Sequence, residues 1–312
     1  MLQTFQTLFP VFAIIGLGYL LAMKGFLAKP FLDDLNKLVY WVCLPSLIIN
    51  NLDRAENITG DSLTIILIYL GATLLVMVVA RLVAFTLGLE GWQHGTFIQG
   101  SFRGNLAFIG LPILIYALRD LPSGEQSRIV AQAIFVFAPI MIFYNIASVL
   151  VLSKGRNSNT ESSPGRSILR VATNPLILAA VSGLCLYLLP LDLPVIFGDT
   201  LQFIGRTAAP MALICVGGGM ALTSMEGRYR SATYAACLKV FATPLLAWLI
   251  SLPFDFSHTD TLILMIFAAT PTAVASYVMA KQMDGDAAMA SGAIILSTLF
   301  SLISLSVVVG IF

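Results

Sequence analysis

Residues 100–118 read GSFRGNLAFIGLPILIYAL, an apolar stretch in which Gly104, Gly110 and Pro112 cluster near the middle. In a bilayer, an unpaired backbone group is costly. A glycine or proline interruption at mid-depth is therefore tolerated only where protein or a water-filled cavity satisfies the freed groups. The stretch predicts a membrane-spanning helix that is broken near its centre.

A second stretch, residues 267–286, reads FAATPTAVASYVMAKQMDGD and carries Thr270, Pro271, Thr272 and Ser276 at comparable depth. Thr270 and Pro271 suit an N-cap followed by the first residue of a helix, because proline has no N–H to leave unpaired there. Each break would place the start of a half-helix near the midplane. Free N–H groups and the helix dipole favour an anion at such a position.

The composition identifies an all-α polytopic membrane protein. Of 312 residues, 58% are hydrophobic and 11% are charged, and the mean hydropathy is +0.91. The formal net charge of +1 gives no basic footprint for nucleic acid. The four cysteines lack metal-ligand spacing, so neither a metal site nor a cofactor is predicted. Ten apolar windows are long enough to cross a bilayer: residues 5–23, 35–52, 62–89, 94–118, 130–152, 174–190, 196–222, 231–252, 260–281 and 287–311.

A polar stretch divides these windows into two sets of five. Residues 153–167, SKGRNSNTESSPGRS, have loop composition and separate a first repeat, 1–152, from a second, 168–312. The halves match at an offset of 165 residues: Pro10 falls on Pro175, Gly18 on Gly183, Asp34 on Asp199 and Pro45 on Pro210. Because each half crosses an odd number of times, the second must be inverted. The breaks then lie in helices 4 and 9. Their matched placement favours a functional break over the alternative, two proline kinks that only fit neighbouring helices.

Lysine and arginine in the loops predict the orientation. Positive residues stay cytoplasmic. The odd-numbered loops carry nine lysine and arginine residues, whereas the even-numbered loops carry three. The prediction is a cytoplasmic linker at 153–167, with both termini extracytoplasmic and, in a bacterium, insertion in the inner membrane. The odd-loop residues are Lys24, Lys29, Lys154, Arg156, Arg166, Arg170, Arg228, Arg230 and Lys281, and the even-loop residues are Arg54, Arg119 and Arg128.

Arg103, Arg206 and Lys239 fall within apolar windows, and Arg81 lies in the last third of a long one. Arg103 is about eight residues, hence about 12 Å, into the fourth window. A charge at a helix centre costs about 2.5–3.5 kcal/mol, and no mid-span carboxylate is available to offset it. Arg103 is therefore a candidate clamp for an anionic substrate. The alternative is that it snorkels or donates to carbonyls that end the first half-helix. For Lys239, snorkelling to the cytoplasmic interface is the favoured interpretation.

Three motifs carry a resemblance to a known family. GNLAFIGLPI at 104–113, PTAVASYVMAKQMDGD at 271–286 and LPSLII at 44–49 resemble the motifs of the bacterial branch of the auxin efflux carrier family. The resemblance implies a ten-helix fold of two inverted five-helix repeats, with scaffold and crossover bundles each drawn from both repeats. It also implies elevator-type transport of organic anions and places Asn105 and Pro271 in the substrate site.

The same resemblance bears on the substrate. Family members handle auxin-like aromatic acids in plants, and malate, malonate or related dicarboxylates in bacteria. The plant pattern has an Asn-Pro-Asn run at the first crossover, whereas this sequence has Arg103-Gly104-Asn105. This departure argues against an aromatic auxin.

The predicted function is secondary transport of small organic anions, mono- or dicarboxylates, across a lipid bilayer. The predicted substrate site comprises Arg103, Gly104, Asn105, Gly110, Pro112, Thr270, Pro271, Thr272 and Ser276. A sodium-coupled symporter of the bile-acid-carrier type and a non-transporting membrane sensor are the alternatives. An enzyme is not expected, because the mid-membrane windows contain no Asp, Glu or His. The coupling ion, proton or sodium, stays open, and a homodimer is compatible with the sequence.

Overall fold

The computed structural model describes residues 2–53, 61–153, 175–188, 193–222 and 227–311. These ranges are helical and contain no β-strand, which confirms the all-helical prediction. The α-helices are α1 (Leu2–Met23), α2 (Lys29–Leu38), α3 (Leu44–Asp53), α4 (Ser62–Thr86), α5 (Gly91–Phe102), α6 (Leu111–Ala117), α7 (Ser123–Ser153), α8 (Pro175–Leu188), α9 (Val195–Arg206), α10 (Ala208–Ala221), α11 (Tyr229–Cys237), α12 (Thr243–Ser251), α13 (His258–Ala269), α14 (Ala275–Gln282) and α15 (Ala287–Ile311).

Within the described ranges, five helical stretches are long and apolar enough to cross a membrane: α4, α7, α9 with α10, α11 with α12, and α15. Shorter apolar helices occur at residues 8–23, 106–117, 175–186 and 258–269. The fourth and ninth predicted windows are each divided into two helices. The polar linker beyond Ser153, together with Lys154, Arg156, Arg166, Arg170 and Arg54 of the orientation prediction, lies outside the described residues.

Widened π-helical turns precede three prolines. A proline lacks an N–H, and its ring crowds the carbonyl four residues earlier. A π turn, with its i→i+5 bonds, widens the helix at that carbonyl. The three turns are Val39–Cys43 before Pro45, Leu106–Gly110 before Pro112, and Leu238–Ala242 before Pro244.

The second of these turns corrects one sequence prediction. Gly110 ends the π turn and Pro112 lies in the first turn of α6, so the helix runs on through both residues. The sequence placed them at the break. That placement is wrong, because the π turn accommodates the proline without interrupting the helix.

Matching glycines bring helices of the two halves into backbone contact. A Cβ added at Gly18 of α1 would lie 2.4 Å from the Ile214 carbonyl oxygen of α10. A Cβ added at Gly183 of α8 would lie 3.3 Å from the Ile49 Cα of α3. Gly18 and Gly183 are related by the 165-residue offset, and so are Ile49 and Ile214. Helices from one half therefore pack on helices from the other at equivalent positions.

Two buried aspartates hold the outer ends of the broken helices. The Asp286 carboxylate accepts a 3.4 Å hydrogen bond from Gln93 of α5, and its main-chain N–H donates to Thr96 at 2.9 Å. The Asp260 carboxylate, in α13, accepts a 2.5 Å bond from Gln132 of α7. These contacts anchor α5 to the start of α15, and α13 to α7.

Candidate functional site

Both predicted interruptions are present as short extended segments. The first separates the end of α5 at Phe102 from the π turn that begins at Leu106. The second separates the end of α13 at Ala269 from the start of α14 at Ala275. Each divides a hydrophobic stretch into two half-helices.

The two interruptions cross and hydrogen-bond to each other. The Asn105 N–H donates to the Pro271 carbonyl at 2.8 Å, and the Ala273 N–H donates to the Arg103 carbonyl at 2.9 Å. Together they form an isolated antiparallel bridge at Gly104. Each break thereby satisfies main-chain groups that the other leaves free, as a membrane interior requires.

Thr270 ends the first half-helix instead of starting the second. Its backbone is extended, with φ −59° and ψ 144°, and its hydroxyl donates to the Phe267 carbonyl at 2.7 Å. The predicted N-cap at Thr270, with Pro271 as first helical residue, is wrong. A residue before proline is driven away from helical dihedrals, so Thr270 is extended. The chain has returned to helical dihedrals at Val274, directly before α14.

Thr272 and Ser276 differ in how their polar groups are paired. The Thr272 hydroxyl donates to the Gly100 carbonyl at 2.7 Å, and its N–H donates to the Ser297 hydroxyl at 2.9 Å. These bonds tie the second break to α5 and α15. Ser276 is fully buried, and its hydroxyl has no partner within the described part of the chain. The Thr272 hydroxyl is therefore used in a structural hydrogen bond, whereas the Ser276 hydroxyl is available to bind a ligand.

Arg103 points its guanidinium at α7. Only 7% of its surface is exposed. Nη1 donates to the Tyr144 carbonyl at 3.2 Å and to the Ser148 hydroxyl at 2.9 Å, and Nη2 donates to the Asn145 side chain at 2.8 Å. Among the residues described, Nε has no acceptor. Burial contradicts the snorkelling alternative. The clamp stays a prediction, with Nε as a donor that has no partner in the described residues.

Arg103→Lys is expected to lower the free energy of unfolding by about 2 kcal/mol, because a lysine cannot reach the three α7 acceptors that the planar guanidinium bonds together. Thermal unfolding of purified protein measures the loss, with the exposed Arg81→Lys as control. If Arg103 also clamps the anion, apparent affinity falls as well. A variant that keeps wild-type affinity would remove the clamp role.

Asn105 begins the half-helix after the first break. Its carbonyl accepts from the N–H groups of Ile109 and Gly110 at 3.1 and 3.0 Å, which closes the π turn. The side chain is buried, and within the described ranges its Nδ2 has no acceptor. Gly110 packs against the crossing, since a Cβ there would lie 2.9 Å from Thr270 Cγ2. Pro112 is buried further along, in α6.

Lys239 lies at the crossing and not at the cytoplasmic interface that its sequence position predicted. It is fully buried, and its Nζ donates to the Ala268 carbonyl at 2.8 Å. Its Cε lies 3.0 Å from the position of a Cβ added to Gly104. The snorkelling interpretation is wrong, because the carbonyls that end α13 offer an acceptor inside the protein. The available signal was a charge in an apolar window five residues before Pro244.

The whole chain matches one protein family. A family model described as membrane transport protein covers residues 3–309. The chain belongs to the auxin efflux carrier family. The resemblance carried by the three sequence motifs is thereby confirmed, and the protein is a multi-pass membrane transporter of this family.

Relatives of this auxin efflux carrier family member are similar over nearly their full length. An uncharacterized transporter of Methanothermobacter thermautotrophicus is 26% identical over 303 residues, which are 96% of this chain and 95% of the relative. A Rhizobium meliloti protein named "Putative malonate transporter" is 24% identical over 296 residues, 94% of this chain and 90% of its own. An uncharacterized transporter of Methanocaldococcus jannaschii is 21% identical over 307 residues, 94% of each chain.

Proposed function

We propose that the protein is a secondary transporter that binds small organic anions at the crossing of the two breaks. The supporting observation is that three of the six buried side-chain polar atoms without a partner among the described residues belong to the two breaks or to the helix start after them: Arg103 Nε, Asn105 Nδ2 and Ser276 Oγ. Buried polar atoms in native proteins are almost always paired. Unpaired hydrogen-bonding atoms at the crossing therefore favour a polar ligand there.

The chemistry of these groups favours an anion. Arg103 Nε and Asn105 Nδ2 are donors, and the half-helices that begin at Leu106 and Ala275 direct N–H groups and the positive ends of their dipoles to the same region. Arg103 and Lys239 add two positive charges. Within the described residues, neither forms an ion pair. A carboxylate supplies the missing negative charge.

We further propose ten spans in two inverted five-helix repeats, 1–152 and 168–312, with extracytoplasmic termini and an elevator-type cycle. The equivalent contacts of Gly18 and Gly183 support the repeats. The positions of the helix starts also support the repeats. When 165 is added to the first residues of α4, α5 and α7, the sums fall within two residues of the starts of α11, α13 and α15, respectively. Inverted repeats with broken helices at the midplane are a common architecture of secondary transporters. Insertion in the inner membrane of a bacterium and assembly as a homodimer stay predictions.

Dicarboxylates are the first substrates to test, because the Rhizobium meliloti relative is named for malonate. The purified protein is screened by thermal unfolding against mono- and dicarboxylates, since a ligand that binds only the folded state raises the unfolding temperature. Uptake of radiolabelled malonate into proteoliposomes then measures transport. The proposal fails if no carboxylate stabilises the protein and none is taken up.

Asn105→Ala is expected to weaken apparent malonate affinity tenfold or more, because one hydrogen bond to a charged group is worth about 1.5–3 kcal/mol. Ser276→Ala is expected to weaken it less, since a neutral hydroxyl forms a weaker bond. Ser306→Ala is the matched control, because that exposed hydroxyl only donates to Leu302 in its own helix. Wild-type affinity in Asn105→Ala would exclude the amide from the site.

A further inference from the structure

Lys239 places a positive charge at the end of a half-helix. It lies in the π turn Leu238–Ala242, is fully buried, and donates to the Ala268 carbonyl at 2.8 Å. No carboxylate of the described ranges pairs with it. A charge within a membrane-spanning segment is costly unless something offsets it, and such a residue is a candidate functional residue.

The end of α13 provides the offset. The last carbonyls of a helix have no partner in the helix, and they carry the negative end of its dipole. Here, three successive carbonyls accept from side chains of other elements: Phe267 from Tyr69 at 3.2 Å, Ala268 from Lys239 at 2.8 Å, and Ala269 from Ser304 at 3.4 Å. In secondary transporters with broken helices, the carbonyl ends of half-helices are where sodium ions or protons bind.

The lysine is in contact with the first break as well. A Cβ on Gly104 would lie 3.0 Å from Lys239 Cε and 2.7 Å from Thr270 Oγ1. The main chain of the first break therefore packs directly against the lysine stem. The ammonium of Lys239 thus stands between the carbonyl end of α13 and the crossing, where a coupling cation would stabilise both.

We propose that the ammonium of Lys239 occupies the cation site at the end of α13, so that anion transport by this protein requires no sodium. A tethered cation supplies the charge that bound sodium would supply, but it cannot dissociate and so cannot draw on a sodium gradient. The inference rests on the proposed transport function and assigns its ion requirement. It separates this chain from sodium-coupled symporters.

The first test needs no substrate. Thermal unfolding is compared in sodium chloride and in choline chloride at equal ionic strength for the wild type, Lys239→Ala, Lys239→Met and the control Lys281→Ala, an exposed lysine of α14. The wild type and Lys281→Ala are expected to unfold at the same temperature in both salts. Lys239→Ala, which vacates the site, is expected to be less stable in choline and to recover in sodium, because sodium binds only the folded protein.

Lys239→Met keeps the side-chain volume without the charge, so it is expected to be destabilised equally in both salts. If Lys239→Ala cannot be purified in choline, recovery of folded protein in sodium alone is the measured response. A Lys239→Ala variant with no sodium response overturns the proposal, and so does a wild type that sodium stabilises.

Uptake separates this inference from the proposed function. Wild-type proteoliposomes are expected to take up radiolabelled malonate at the same rate with external sodium or choline. Uptake that requires sodium overturns the role of Lys239 and leaves anion transport standing. If malonate is taken up in neither salt, malonate transport fails, whereas the unfolding comparison still decides the cation site.

Discussion

Gly217→Ala is expected to separate α1 from α10 and to lower the unfolding temperature by roughly 5 °C or more, from an overpacking cost of about 3 kcal/mol. A Cβ at Gly217 would lie 1.9 Å from the Ile15 carbonyl oxygen and 2.9 Å from the Tyr19 main-chain nitrogen. These are backbone atoms of a packed helix, so no side-chain rotation relieves the overlap. The helices must move apart and lose contact along their length.

Gly219→Ala is the matched control for this prediction. It belongs to the same three-glycine run of α10, but a Cβ there meets no atom within 4 Å. Alanine also has the higher helix propensity, so the control is expected to be as stable as the wild type. Thermal unfolding in detergent and the yield of monodisperse protein compare the two variants. Equal stability of Gly217→Ala and Gly219→Ala would contradict the backbone contact.

Gly104→Ala is expected to reduce anion uptake at least tenfold, although the protein folds. The added Cβ would lie 2.7 Å from Thr270 Oγ1 and 3.0 Å from Lys239 Cε. Neither side chain is free to withdraw, because the hydroxyl donates to Phe267 and the ammonium to Ala268. The first break must shift, and misplacing binding groups by about 1 Å can reduce activity a hundredfold.

Gly16→Ala is the control that tests whether a glycine-to-alanine change elsewhere in a membrane helix also reduces anion uptake. Gly16 lies in α1, and a Cβ there meets nothing within 4 Å. Uptake by Gly16→Ala is expected to match the wild type, and the unfolding temperature of Gly104→Ala to fall by only a few degrees. Normal uptake by Gly104→Ala would show that the crossing tolerates the displacement and would remove it from the proposed site.

Local patterns located the interruptions but not all of their detail. The cluster of Gly104, Gly110 and Pro112 and the run Thr-Pro-Thr at 270–272 predicted that both helices are interrupted, because backbone and ring chemistry act over a few residues. Of the first cluster, only Gly104 lies in the break. Thr270 was assigned to the wrong half-helix. Its hydroxyl can cap either end of a helix, and here the restriction before proline directs it back to Phe267.

Contacts between distant segments could not be predicted in the same way. Arg103 bonds to Tyr144, Asn145 and Ser148 of α7, more than 40 residues away in the chain. Lys239 finds its acceptor in α13. The sequence shows only that both residues place a charge in an apolar window. Many different partners could offset the cost of burying that charge, so the sequence does not select one.

The sequence by itself determined the membrane class, the two interruptions, the family motifs and the offset that pairs Gly18 with Gly183, because hydropathy and chain stiffness are local properties. Only the tertiary structure decided that the interruptions hydrogen-bond to each other at Gly104, and that Lys239 faces the carbonyl end of α13. The reason is physical. A backbone group freed in the membrane must be paired, but its partner is selected by how the helices pack and not by the residues beside it.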